Sequence, residues 1–93
     1  MAYGRLNEPV HWDINVSSRQ KLTQASRDFI VELVSEEARK AISSHGFILH
    51  DAIESTHYCR LLVEATRPAL AELLRMMRDN LPHRITVAQL GSP

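Results

Sequence analysis

The sequence predicts an all-α domain: an antiparallel helical hairpin whose second helix is kinked or split, with an extended N-terminal arm, completed as a homodimeric helical bundle. Three observations carry this expectation. Apolar residues recur at helical spacing from Leu22 to Leu81, Gly46 interrupts the pattern once, and Pro68 marks it once. The expected organisation is an arm over 1–17, a helical domain over 18–81 and an extended tail over 82–93.

The 93-residue chain makes one domain at most. Its 11 basic and 11 acidic residues cancel, and five histidines add charge only as the pH falls. Neutrality argues against a protein built chiefly to hold a nucleic-acid backbone, which selects a positive surface. Cys59 is the single cysteine, so no internal disulfide forms and a reducing compartment is expected. No apolar run is long enough to span a bilayer, and Met1 to Asn15 lacks the order of a signal peptide. The expected location is the cytoplasm.

Taken in order, the arm opens with Tyr3, Gly4, Leu6 and Asn7, and Pro9 biases Glu8 toward extended geometry. Val10, Trp12, Ile14 and Val16 then alternate with His11, Asp13 and Asn15, a period of two. We read this as an extended arm laid on a helical face, with Trp12 as its anchor. The alternative is a strand paired with Arg84 to Leu90, where Ile85 and Val87 share one side, or with a second copy. His11 and Asp13 share a face of the extended segment, but no nucleophile is tied to them. Ser17 and Ser18 are candidate N-caps for a first helix from about Arg19 to Ser44. Leu22, Ala25, Phe29, Ile30, Leu33, Val34, Ala38, Ala41 and Ile42 give it a wide apolar stripe. Gly46 fits a left-handed C-cap.

Phe47, Ile48 and Leu49 read as an apolar bridge plugging the end of the hairpin. Asp51 and Glu54 have capping-box spacing for a second helix carrying Ile53, Tyr58, Leu61, Leu62 and Ala65. Thr66 is a candidate cap for a fresh helix with Pro68 in its first turn, where the missing amide donor costs little. A continuous helix kinked at Pro68 is the equal alternative. The stripe resumes at Ala69, Leu70, Leu73, Leu74, Met77 and Leu81, and Pro82 ends it. Two amphipathic helices alone make a thin core, so a second copy or a larger partner is expected to cover what remains.

Chemistry is weakly marked. His50, Glu54 and His57 are spaced four and three apart and share one face of a helix, so they form a candidate zinc or iron site. The plainer reading is a solvated polar face. Glu36 or Glu37 from the first helix would complete such a site in a small metal-dependent enzyme. Cys59 has no feature that lowers a thiol pKa beyond the adjacent Arg60. Arg60, Arg67, Arg75, Arg78 and Arg84 are offset by Glu64 and Glu72, which favours a mixed solvated face over a nucleic-acid surface.

The segment ASRDFIVELVSEEARKAISSHGFILHDAIESTHYCRLL resembles the central part of a histone-fold subunit, through Phe29, Ile30, Leu33, Val34, Ser35, Glu36, Ala38, Asp51 and Ile53. That resemblance implies a long central helix, a dimeric mode and a nucleic-acid-associated role. The family's short first helix and basic loop ends are missing.

The function expected from the sequence is a non-enzymatic interaction adaptor or accessory subunit. Its interaction residues would be Val10, Trp12, Ile14, Phe47, Ile48, Leu49, Leu70, Leu74 and Met77. It would need no cofactor unless zinc or iron occupies the histidine–glutamate site, and no catalytic residue is identifiable.

Overall fold

The computed structural model describes residues 8–91. It is an α+β fold, and the all-α helical bundle is overturned. The elements are β1 (Val10–Ser17), α1 (Gln24–Leu33), α2 (Glu36–Ser44), β2 (Phe47–Glu54), β3 (Tyr58–Ala65), α3 (Arg67–Asn80) and β4 (Arg84–Gly91). The four strands form one sheet in the order β2-β3-β1-β4, with every neighbouring pair antiparallel. With α1 and α2 together making the first crossover, this is the split βαβ topology of ferredoxin-like folds.

The preferred reading of Val10 to Val16 as an arm is corrected: the segment is strand β1, between β3 and β4. Its alternation puts Val10, Trp12, Ile14 and Val16 under the helices. The part of the expected arm over 1–7 lies outside the described residues, as do positions 92 and 93 of the expected tail. The remainder of that tail is largely strand β4, paired from Ser17↔Arg84 to His11↔Gly91.

The expected first helix is two helices. The Ser35 hydroxyl donates to the Glu32 carbonyl at 2.8 Å and accepts from the Ala38 amide at 3.2 Å. One side chain therefore closes α1 and opens α2. Thr23 caps α1 by accepting from the Ser26 amide, and Thr66 caps α3 by accepting from the Ala69 amide at 3.3 Å. Pro68 sits in the first turn of α3, so the helix starts there rather than kinking. Gly46 takes φ +92° between α2 and β2.

The expected second helix from Asp51 does not exist. Its residues form the β2–β3 hairpin, closed across Ser55 to His57 by the Ser55 amide donating to the Tyr58 carbonyl at 2.8 Å. The capping box is likewise absent: Asp51 Oδ1 accepts from the next amide, Ala52, inside a strand. The histone-fold resemblance fails at the same two places. Its long helix breaks at Ser35, and its Asp51 helix is a strand.

The core lies between one sheet face and the helices. Trp12, Ile14, Cys59, Leu61, Val63, Phe47 and Leu49 from the sheet meet Ile30, Leu33, Ile42, Leu70, Leu73 and Met77 from the helices. The sheet thus covers Ile30, Leu33 and Ile42 of the first expected stripe and Leu70, Leu73 and Met77 of the last, while Phe29, Val34, Leu74 and Met76 are only partly buried. Ser26 is fully buried but satisfied, hydrogen-bonded to Thr23 Oγ1 at 2.9 Å and to His83 Nε2 at 2.8 Å. Among the described residues, no helix is long and apolar enough to cross a membrane.

Candidate functional site

Among the described residues, no helix lies on the other sheet face. Strand pairing puts His11, Asp13 and Asn15 of β1, Arg60, Leu62 and Glu64 of β3, and Thr86 and Ala88 of β4 on that face. On β2, the ladder slips between Leu49 and Asp51. Ile48, opposite Glu64, and Ile53, opposite Arg60, both lie on the open face despite being five residues apart. An unbroken strand would put them on opposite faces, so the slip is a one-residue bulge. His50 is the residue it leaves unpaired.

At this bulge three side chains converge. His11 is paired directly with Glu64 across the ladder. Glu64 Oε1 lies 3.2 Å from His11 Nε2 and 3.0 Å from His50 Nε2. The two imidazole rings are 5.4 Å apart, centroid to centroid, and tilted by 59°. One possible ligand atom from each of the three residues falls within 4.8 Å of the others. With no ion bound, the ring N–H groups donate to the shared carboxylate oxygen. The hydrogen bond from His50 holds the Glu64 carboxyl below its ordinary pKa, helped by the nearby His11 and opposed by partial desolvation. The β1–β4 ladder also shifts between His11 and Trp12. Both irregularities of the sheet around this face adjoin a histidine of the cluster, and bulges commonly re-aim side chains beside functional sites.

The donor set and spacing suit a small transition-metal ion. Zinc at 2.0–2.2 Å from nitrogen and oxygen ligands in tetrahedral geometry sets ligand atoms about 3.3 Å apart. The two distances to Glu64 Oε1 are already close to that edge. Loading would require each Nε2 to present its lone pair, moving the ring proton to Nδ1.

The site inferred from sequence is taken apart. His50 keeps a place in a histidine–glutamate cluster, but Glu54 and His57 do not join it. Glu54 pairs with Cys59 on the helix side of the sheet. His57 is in the hairpin turn, its Nδ1 against Thr56 Oγ1 at 2.8 Å. Glu36 and Glu37 form the first turn of α2, in the helical layer. His11 and Glu64 were missed as a pair because 53 residues separate them. The available signal was alternation in Tyr58 to Ala65, which puts Glu64 on the polar side of a strand.

The expected interaction residues are mostly interior. Val10, Trp12, Ile14, Phe47, Leu49, Leu70 and Met77 are buried, and Leu74 is half-buried. Trp12 donates its indole N–H to the Ala65 carbonyl at 2.9 Å, and the Arg67 guanidinium lies 5.8 Å from its ring centroid. Ile48 alone among them is exposed, at 46%, on the open face.

Beside the cluster, Arg60 clasps Asp13. Arg60 Nε lies 2.9 Å from Oδ1, and Nη2 lies 2.6 Å from Oδ2. Only 10% of the Asp13 side chain is exposed. The hydrogen bonds to Asp13 raise the Arg60 pKa further. Arg60 is therefore committed within the sheet and is not a free cation for a nucleic acid. Cys59 is fully buried, and burial with the nearby Glu54 pushes its thiol up to about 11, which makes it chemically silent.

No protein-family model, curated protein or solved structure matches the chain.

Proposed function

We propose that this protein is a small non-enzymatic accessory module that binds one divalent transition-metal ion, zinc foremost, through His11, His50 and Glu64 on the open face of its sheet. One observation carries the reading. Three strands bring two imidazoles and a carboxylate together, with ligand atoms within 4.8 Å of one another. Zinc is preferred over iron because nitrogen and oxygen sites bind it more tightly along the divalent series. A two-histidine, one-carboxylate set leaves a coordination position for water or for a group from a partner. The lone buried thiol fits a reducing compartment, and the cytoplasm is the proposed location.

Titration of chelator-stripped protein with zinc chloride, followed by calorimetry and metal analysis, tests this. One equivalent of zinc is expected. His11→Ala and His50→Ala should each abolish it, while His57→Ala and Glu54→Gln should bind as the parent does. Cobalt(II) should give the absorption of a four-coordinate ion. Sub-stoichiometric zinc, or equal binding by His11→Ala, refutes the reading.

A second reading, self-association through the same face, is favoured by the exposure of Ile48, Ile53 and Tyr58, each 43–47% accessible. The occupant would be a second copy. Zero formal charge on the chain and the internally neutralised Asp13–Arg60 pair remove net repulsion between two such faces. Sedimentation with and without zinc tests it, and a concentration-independent monomer in both states ends it.

A further inference from the structure

The helical layer does not close over the sheet. Because Ser35 ends α1 and redirects the chain into α2, a hollow of about 330 Å³ opens toward α3. That volume lies in the range of small-molecule sites. Buried Leu33, Ile42 and Phe47 form its apolar floor. Ala38 and Ala41 line α2 with the smallest apolar side chain, which leaves the space unfilled. Phe29 and Met76 stand on opposite sides, from α1 and α3.

The polar groups around this hollow are two carboxylates and one imidazole: Glu32, Glu72 and His45. Glu72 is held by Arg75. Glu32 has no cation within ion-pair distance among the described residues. His45 stacks against Phe47, with ring centroids 6.4 Å apart and planes 21° from parallel. An apolar hollow with a solvent-exposed carboxylate at its rim, one that has no ion-pair partner among the described residues, is complementary to an amphiphile carrying a positive head.

We infer that the hollow between α1, α2 and α3 is a binding site for a small hydrophobic amine, an aromatic or branched aliphatic body bearing a protonated ammonium. The body lies on Phe47 and Leu33, and the ammonium meets Glu32. A carboxylate of the same shape would meet Glu32 as a like charge. This site lies on the opposite side of the sheet from His11, His50 and Glu64, and stands or falls independently of them.

Three probes of matched shape test it: phenethylammonium, the neutral phenethyl alcohol and the anionic hydrocinnamate. Each is titrated into the full chain while the Met76 methyl and Ile42 amide resonances are followed. Saturable shifts with phenethylammonium are expected, with affinity about tenfold above hydrocinnamate. Glu32→Gln should weaken the ammonium by about two- to fivefold and leave the alcohol unchanged. Ala38→Leu, filling the hollow, should abolish binding of all three with the spectrum still folded. Ala41→Leu serves the same purpose if Ala38→Leu perturbs the fold. Three results would each overturn the assignment: no saturable binding by any probe, hydrocinnamate binding as well as the ammonium, or a Glu32→Gln variant with its cation preference intact.

Discussion

Replacing Trp12 separates an interior residue from a surface anchor. The side chain is 6% exposed, sits in the main core cluster, and donates to the Ala65 carbonyl at 2.9 Å. Truncation to alanine removes a fully packed indole, which costs about 3–5 kcal/mol, and a hydrogen bond contributing about 1 kcal/mol. A chain of this size has a total stability of about 5–14 kcal/mol, so Trp12→Ala removes a large part of it. Trp12→Phe is the gentler test. It keeps a ring in the core, loses the N–H donor and leaves part of the volume empty, for about 2 kcal/mol. At an m-value near 1.5 kcal/mol/M, the urea midpoint followed by far-UV circular dichroism should fall by about 1.3 M. The opposite outcome is a midpoint within about 0.3 M of the parent, with Trp12→Ala keeping its full spectrum. That would make Trp12 a docking residue and refute the assignment of β1 to the sheet interior.

Other perturbations follow from the same geometry. Arg60→Ala strands the nearly buried Asp13 carboxylate and should lower the midpoint in chemical denaturation. The double variant Asp13→Leu, Arg60→Leu should recover most of that loss, and its failure to do so would point to packing rather than charge. Gly46→Ala has room, since its Cβ would meet Ala69 Cβ at 3.7 Å. The φ of +92° is the obstacle, so a loss of about 1–2 kcal/mol is expected, with Gly46→Asn milder. The Glu64 carboxyl is held below its ordinary value by His50 first and His11 next. A depressed folded pKa contributes stability above the unfolded carboxyl value of about 4.3 and loses it as the pH falls through the folded value. Glu64→Gln should therefore lose less melting temperature than the parent between about pH 5 and 3.

The legible parts of the fold were those with strong local chemistry. Thr66 followed by Pro68 marks the start of α3, and its stripe runs on to the end of the helix. Val10 to Val16 shows its period of two plainly. That alternation allows pairing with Arg84 to Leu90, which is the β1–β4 ladder, whereas the other flanking strand, over 58–65, also matches helical spacing. The β2–β3 hairpin was hidden by two things. The bulge at His50 interrupts alternation, leaving Leu49 buried and Ile53, four residues on, exposed on the open face. The turn at Ser55 to His57 carries no glycine, asparagine or proline. In β3, Leu61, Leu62 and Ala65 also match helical spacing, and only Cys59 and Val63 restore the alternation. The histidine–glutamate cluster was legible only at His50, for the same reason. A helical reading joined His50 to its neighbours at three and four residues, whereas a sheet joins it to residues across the ladder.

The thiol of Cys59 has a use in the laboratory. It is the sole sulfhydryl in the chain, sealed beneath the helices and reluctant to ionise. A maleimide or iodoacetamide reagent can reach it only while the layers part. The pace of its modification under native conditions is thus a clock for spontaneous opening, and occupancy of either face by a ligand would show as a slowing of that clock.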